Sequence, residues 1–347
     1  MKNDPQINVA IIGCGQMARS HVKKILSQFD NTCIPVVCEP SPEAYAETSE
    51  LFRSNNRTPP TNEPHLERLL DRSSGQLDAA FIITPHVFHH RQAKMCLEAG
   101  LDVLLEKPMV MNVEEAADLI QTRDRTGGLL TVAFQGSLSP QIRKATEMIR
   151  SGKMGHIRNI SGVTWQNWGG SQEGKWRQEP EISGGGFLFD TGAHMLNTIA
   201  DLAGEDFADV IALFENQNAS VEISAVIIGR LKSGVLVTIN GCGDTVVSCN
   251  SDIRVFCTEG ILRTGSWGER LDVLWEQPSA PYLPGQDRDS GWEPVPVPPS
   301  GGVWEEFIGT REGVISNPSP PELGLRMAKL WDAIKESASN NGNLVRI

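Results

Sequence analysis

The chain contains no Cys-x-x-Cys pair, no run of lysines and arginines, and no apolar stretch approaching a membrane span. Each absence removes a class of function. The seven cysteines are scattered and odd in number, which points to free thiols in a reducing compartment. A net charge of −12 without a basic patch leaves nothing to hold a nucleic-acid backbone. A spanning helix needs roughly 18 apolar residues, and no stretch comes near that. The opening MKNDPQINVAIIG has only a short apolar run leading straight into a motif, unlike a secretory leader. No internal repeat or low-complexity tract appears. The expectation is a cytoplasmic protein with no nucleic-acid or membrane partner.

What is present is ordinary globular material, 21% charged and 39% hydrophobic. A length of 347 residues predicts two domains, at about 150 residues each. The first third alternates short apolar runs with helical patterns. Strands are expected at Ile7–Ile12, Ile34–Cys38, Ala79–Thr84, Val103–Leu105 and Leu129–Phe134, with helices at Met17–Gln28, His89–Ala99 and Val113–Arg125. Such alternation predicts a parallel α/β sheet covered on both faces. After an amphipathic helix at Ser139–Arg150, strand follows strand: Ile157–Trp165, Asp209–Leu213, Val221–Arg230, Val235–Asn240 and Ile253–Cys257. That predicts an α+β domain with a large, mostly antiparallel sheet. The division falls between residues 134 and 135. Pro278–Pro299 reads as a surface loop and Glu322–Ser337 as a closing helix.

The first strand runs into G-x-G-x-x-A at Gly13, Gly15 and Ala18. Gly13 makes the tight turn, Gly15 lets a pyrophosphate approach, and Ala18 permits close helix–strand packing. Phosphates then sit at the helix start, by Gln16 and Met17. Glu39, at the end of the second strand, would accept the adenosine ribose hydroxyls and repel a 2′-phosphate, and the following PSPE carries no cation. The predicted cofactor is NAD rather than NADP.

Two further loops follow strand ends: TPHVFHH, with Thr84, Pro85, His86 and His89, and LLEKPMV, with Glu106 and Lys107. All are expected cofactor contacts. Farther on, GGGFLFDTGAH runs from Gly184 to His194. These motifs, in this order and spacing, resemble the Gfo/Idh/MocA oxidoreductases, the glucose-fructose oxidoreductase and inositol dehydrogenase group, across essentially the whole chain. The resemblance implies a Rossmann domain followed by an α+β domain whose open sheet often mediates oligomers, here a dimer or tetramer. It implies a reaction at a hydroxyl-bearing carbon of a sugar, cyclic polyol or derivative. Lys107, Asp190 and His194 match the family's catalytic positions, and the Lys107–Pro108 peptide is expected to be cis.

That chemistry suits the residues. Oxidising an alcohol requires taking the hydroxyl proton, and histidine titrates near neutrality. Four residues apart on a helix, Asp190 and His194 would share a face, the carboxylate orienting the imidazole. His194 is read as the base and Lys107 as the group that orients and polarises. His86 and His89 have no third ligand at metal-site spacing, so no metal is expected. Between the sheet and the glycine run lies TWQNWGGSQEGKWRQEPEIS. Trp165, Trp168 and Trp176 offer faces for a sugar ring, Gln166, Asn167, Lys175 and Arg177 offer partners for hydroxyls or a carboxylate, and Lys107, Asp190 and His194 complete the expected substrate contacts. Many relatives carry an arginine shortly after the sixth strand. Here Gln135, a further substrate candidate, is followed by Gly136 and Ser137. Two other readings keep the fold: glycoside cleavage through transient oxidation by bound NAD, and a nucleotide-binding regulator that does not turn over.

Overall fold

The computed structural model describes residues 6–275 and 291–347. They form two compact units, 6–133 with 301–325, and 134–275 with 291–300 and 326–347. The sequence predicts one crossing at residue 134; the structure has the chain return to the first unit. The returning helix Val303–Arg311 explains why. Trp304 stacks 6.3 Å from Phe81 and donates its indole N–H to Thr32 Oγ1 at 3.0 Å. Arg311 reaches Asp102 at 2.9 Å, and Val132 N–H donates to the Ser319 carbonyl, pairing the last strand. Burying Trp304 and Phe307 is worth several kcal/mol at ~25 cal/mol per Å2, which outweighs the closure of a long loop.

The first unit is a parallel sheet of β1 (Ile7–Ile12), β2 (Thr32–Cys38), β3 (Thr61–Asn62), β4 (Ala79–Ile82), β5 (Asp102–Leu105) and β6 (Leu130–Val132). Its order is β3-β2-β1-β4-β5-β6, so the direction of winding reverses between β1 and β4. The central strands are buried except at Asn8 and Asp102, as their near-continuous apolar runs require in a sheet covered on both faces. Local chemistry sets the helix ends. Asn112 caps Val113–Thr126 by accepting from Glu115 N–H, and Gly127 closes it at φ 67°.

The second unit holds a sheet of nine strands: β7 (Ile157–Gln166), β8 (Phe207–Glu215), β9 (Ser224–Leu231), β10 (Leu236–Cys242), β11 (Cys249–Cys257), β12 (Gly260–Thr264), β13 (Leu271–Trp275), β14 (Glu293–Pro294) and β15 (Val345–Arg346). The order is β14-β13-β12-β11-β7-β10-β9-β8-β15, antiparallel except for β7 beside β10. Of the predicted loop Pro278–Pro299, residues 278–290 lie outside the described residues; Glu293–Pro294 pair with β13. One face carries the helix Gly192–Ala203. A Cβ on Gly162 would meet Met195 Sδ at 2.7 Å, so a glycine in β7 sets how closely that helix lies. On the other face, strand alternation exposes Val226, Ile228, Leu213 and Leu236.

Candidate functional site

In the first unit the loops after β1, β4 and β5 leave the sheet at its carboxyl edge, where doubly wound folds bind ligands. Gly13 has φ +92°, and a Cβ there would lie 2.6 Å from the Ile83 carbonyl oxygen; only glycine fits. At Gly15 a Cβ would meet nothing within 4 Å. The helix Gln16–Gln28 starts there with no side-chain cap, which leaves its first amides for an anionic ligand such as a pyrophosphate. Gln16 and Met17 are exposed beside it, and Ala18 is buried. Glu39 Oε2 accepts from Cys14 N–H at 2.6 Å and Oε1 from Ser41 N–H at 2.8 Å, tying the glycine loop to the end of β2. These features fit a dinucleotide.

The two loops beyond differ from expectation in their side-chain directions. A 3-10 turn over His86–Phe88 turns His86 and His89 inward and leaves Val87 and Phe88 exposed. His89 is fully buried, with Nε2 at 2.9 Å from the Thr84 carbonyl and Nδ1 at 2.8 Å from that of Pro108. Burial lowers its pKa against the pull of both carbonyls. His89 therefore corrects the expected cofactor contact: it fastens one loop to the other from beneath. Glu106 is likewise turned inward. Its Oε1 lies 2.7 Å from His21 Nε2, and Oε2 accepts its neighbour's Lys107 N–H at 3.1 Å. Sequence reasoning passed over His21, although a polar residue among Ala18, Val22 and Ile25 on the buried helix face is a signal. Thr84 donates its hydroxyl to Gln92 at 2.6 Å, and Pro85 beside it is half-buried. Lys107 is half-buried, and its peptide to Pro108 is cis.

In the second unit Asp190 ends a short helix, Phe187–Asp190, and His194 lies in the next, Gly192–Ala203, with Thr191 between. Thr191 keeps helical dihedrals (φ −79°, ψ −43°), so the backbone stays helical between them and only the hydrogen-bond pattern changes there. Both residues are 6% exposed. Asp190 Oδ2 accepts from Trp168 Nε1 at 2.9 Å and from Arg177 Nε at 3.0 Å. The His194 ring stands edge-on to Phe134, centroids 6.4 Å apart, and tilted against Trp267 at 5.8 Å. The site thus sets a carboxylate bound by two fixed donors one turn before an imidazole in aromatic surroundings.

The tryptophans separate by strand parity. Trp165 pairs with Cys242 and Asn250, on the sheet face away from Gly162, Thr164 and the His194 helix. That corrects its expected place in the substrate site: one step along a strand changes the face. Gln166, of opposite parity, accepts from Thr191 Oγ1 at 3.0 Å. Trp168, expected to offer an aromatic face, is buried and instead gives its indole N–H to Asp190. Trp176 is half-buried under the Arg177 guanidinium, 4.4 Å from its ring centre. Gln135 is half-buried. Next to it, a Cβ at Gly136 would lie 2.1 Å from Thr198 Oγ1, so the glycine lets this segment approach the helix. Ser137 donates to Asp201 at 2.5 Å and accepts from Asn197 at 2.7 Å, and Arg326 bonds both Asn197 and Asp201. That segment anchors the helix bearing His194.

Comparison with known proteins agrees with this geometry. Residues 7–134 match the oxidoreductase family with an NAD-binding Rossmann fold, and residues 142–263 match the GFO/IDH/MocA C-terminal domain. Oxidoreductase P35 of Formosa agariphila is 29% identical over 58% of the chain and 62% of its own length. The levoglucosan dehydrogenase of Pseudarthrobacter phenanthrenivorans is 26% identical over 57% and 52%. The chain thus aligns with little more than half the length of these curated relatives. Across 99% of the chain and 100% of the other, the fold superposes on the aldose-aldose oxidoreductase of Caulobacter crescentus, with TM-score 0.82 at 20% identity. The chain belongs to the GFO/IDH/MocA oxidoreductase family, with an NAD-binding Rossmann fold in its first unit.

Proposed function

We propose that the protein is an NAD-dependent dehydrogenase acting on a hydroxyl-bearing carbon of a sugar, cyclic polyol or sugar derivative. The observation that carries this reading is the Asp190 carboxylate, held by Trp168 and Arg177 immediately before His194. A relative is a levoglucosan dehydrogenase, and a structural neighbour is an aldose-aldose oxidoreductase; both names support a carbohydrate substrate. NAD, when bound, supplies the hydride acceptor. Gly13, Gly15, Gln16 and Met17 would hold its pyrophosphate, and Glu39 its adenosine ribose, which favours NAD over NADP. Thr84, Pro85 and the backbone around His86 would line the same edge, with His89 and Glu106 supporting from below.

His194 takes the hydroxyl proton, Asp190 fixes the imidazole, and Lys107 polarises the reacting oxygen. Trp176, Arg177 and Gln135 bind the rest of the sugar. The protein acts as a homo-oligomer through the exposed face of the large sheet. Purified protein with NAD, screened against sugars, inositols, sugar acids and glycosides, should produce NADH with free sugars or polyols. Glycosides cleaved without net NADH would replace dehydrogenation with redox-masked cleavage. His194→Ala should lower turnover by about 10²–10⁴ while NAD binding persists; turnover near wild type would move the proton to another residue.

A further inference from the structure

Four successive amides of the glycine run are met by a single residue. Gly186 N–H donates to Glu222 Oε2 at 2.7 Å, Leu188 and Phe189 N–H to Oε1 at 3.1 and 3.3 Å, and Phe187 N–H to the Glu222 backbone oxygen at 2.9 Å. These are the amides that a helix start leaves without a partner inside the helix. Glu222 is 4% exposed and flanked by an apolar cluster of Val221, Ile223, Trp168 and Phe187. A Cβ on Gly186 would lie 2.0 Å from the Glu222 carbonyl oxygen, so the glycine exists to let the two backbones touch. At the far end of the same short helix stands Asp190, whose own N–H donates to the Gly186 carbonyl at 2.9 Å.

We propose that Glu222 is the positioning residue of the Asp190–His194 pair: its ionised carboxylate fixes the backbone from Gly186 to Phe189 and thereby aims both side chains. The proposal rests on the reading in which that pair moves the substrate proton. Trp168 and Arg177 hold the Asp190 carboxylate, while Glu222 holds the main chain beneath it. The ionised form accepts strongly at both oxygens; protonation turns one of them into a hydroxyl, a weaker acceptor that must also place its own proton among amide N–H donors.

Burial raises the Glu222 pKa to about 7 against the lowering effect of the amides. On the elements packed against it the charged groups are few. Asp190 is paired with Arg177, Glu215 on β8 accepts Ile223 N–H through its backbone, and Asp244 follows Gly243, whose N–H donates to the Ile223 carbonyl. Glu215 and Asp244 are both exposed. The switch between anchored and loosened glycine run therefore falls near neutral pH.

Glu222→Gln places an N–H donor where one carboxylate oxygen stood, mimicking the protonated form. It should lower kcat about ten-fold or more, since small misplacements of reacting groups are costly, and leave the NAD Kd unchanged. The part of the acid limb of kcat that belongs to Glu222 should vanish, and Glu222→Asp, which keeps the charge, should restore part of the turnover. Amide exchange gives a readout independent of turnover. In the wild-type protein, protection factors at Gly186, Leu188 and Phe189 should fall as pH drops through about 7, and in Glu222→Gln they should be low throughout. Protection in the wild type that does not vary with pH, or a Gln variant with wild-type kcat and pH profile, would overturn the proposal. The wild-type titration needs no variant to fold. pH-linked protection in a protein that oxidises no carbohydrate would sink the dehydrogenase reading and leave the anchor standing. Oxidation untouched by Glu222→Gln would do the reverse.

Discussion

Asp190 is defined less by its neighbour in sequence than by two donors that arrive from the segment before it. The Trp168 indole N–H and the Arg177 Nε converge on one oxygen, Oδ2. Trp168 is 1% exposed, so its hydrogen bond is made away from water. Trp168→Phe keeps an aromatic ring and removes the donor. A hydrogen bond to a charged group is worth about 1.5–3 kcal/mol, so turnover should fall roughly 10- to 150-fold with NAD affinity unchanged. Steady-state kinetics beside a nucleotide titration would decide it; wild-type turnover would leave Asp190 to Arg177 alone. Glu39 carries a prediction of a different kind. Its oxygens already accept two backbone N–H groups, and each oxygen has further lone-pair capacity for ribose hydroxyls. Glu39→Ala should narrow the preference for NAD over NADP, and an unchanged ratio of the two Kd values would refute that role.

Among the elements, the short helix Phe187–Asp190 has the largest consequence for so few residues. Its anchor Glu222 titrates at about 7 in the folded protein against an ordinary value of 4.5. A carboxyl whose folded pKa is raised adds stability below its unfolded pKa and loses that contribution as pH rises through the folded value. The second unit should therefore lose stability between about pH 4.5 and 7 through this group, and Glu222→Gln should flatten that slope. Urea titrations across the range, followed by the global unfolding transition rather than by local exchange at Gly186–Phe189, would measure it; equal slopes would remove Glu222 as the cause. The form that aims the pair is thus the one the fold holds less stably, a usual cost at functional sites. A glycine gives a matching test in the other unit. Gly13→Ala must adopt φ +92° with its Cβ 2.6 Å from a carbonyl oxygen. It should cost about 1–3 kcal/mol of stability and weaken NAD, as read by calorimetry.

These elements also mark where sequence reading succeeds and fails. Long apolar runs announced β1, β2 and β7 within a residue or two, because burial on a period of two or on both faces leaves a direct pattern. The pairs of residues in β3, β14 and β15 left none, being held by neighbours rather than by their own side chains. The glycine loop, Glu39 and the Asp190–His194 spacing were legible because each needs particular residue types. Glu222 was not, since its partners are backbone amides, which no motif spells out. Trp165 and Trp168 looked alike in a crowded segment until strand register put them on different faces.

The molecule as a whole presents one feature that its own fold leaves unused. An antiparallel sheet with one solvated face ordinarily alternates apolar inside and polar outside. Here Leu213 pairs with Val226, and Ile211 with Ile228, on the face away from the helices, and Leu236 continues the row beside Arg230. Val226 and Ile228 are 51% and 50% exposed. Such a contiguous apolar row marks an interaction surface, and a second copy of the same sheet face can cover it by two-fold symmetry. Light scattering on the purified protein should give the mass of a dimer or tetramer. Ile228→Glu puts a charge in the middle of the row without touching the core behind it, and should shift the protein toward the monomer. Each unit should stay folded, since the neighbouring inward residues Ile227 and Gly229 are unchanged. A wild-type mass equal to one chain, or an Ile228→Glu mass equal to wild type, would take the assembly surface elsewhere.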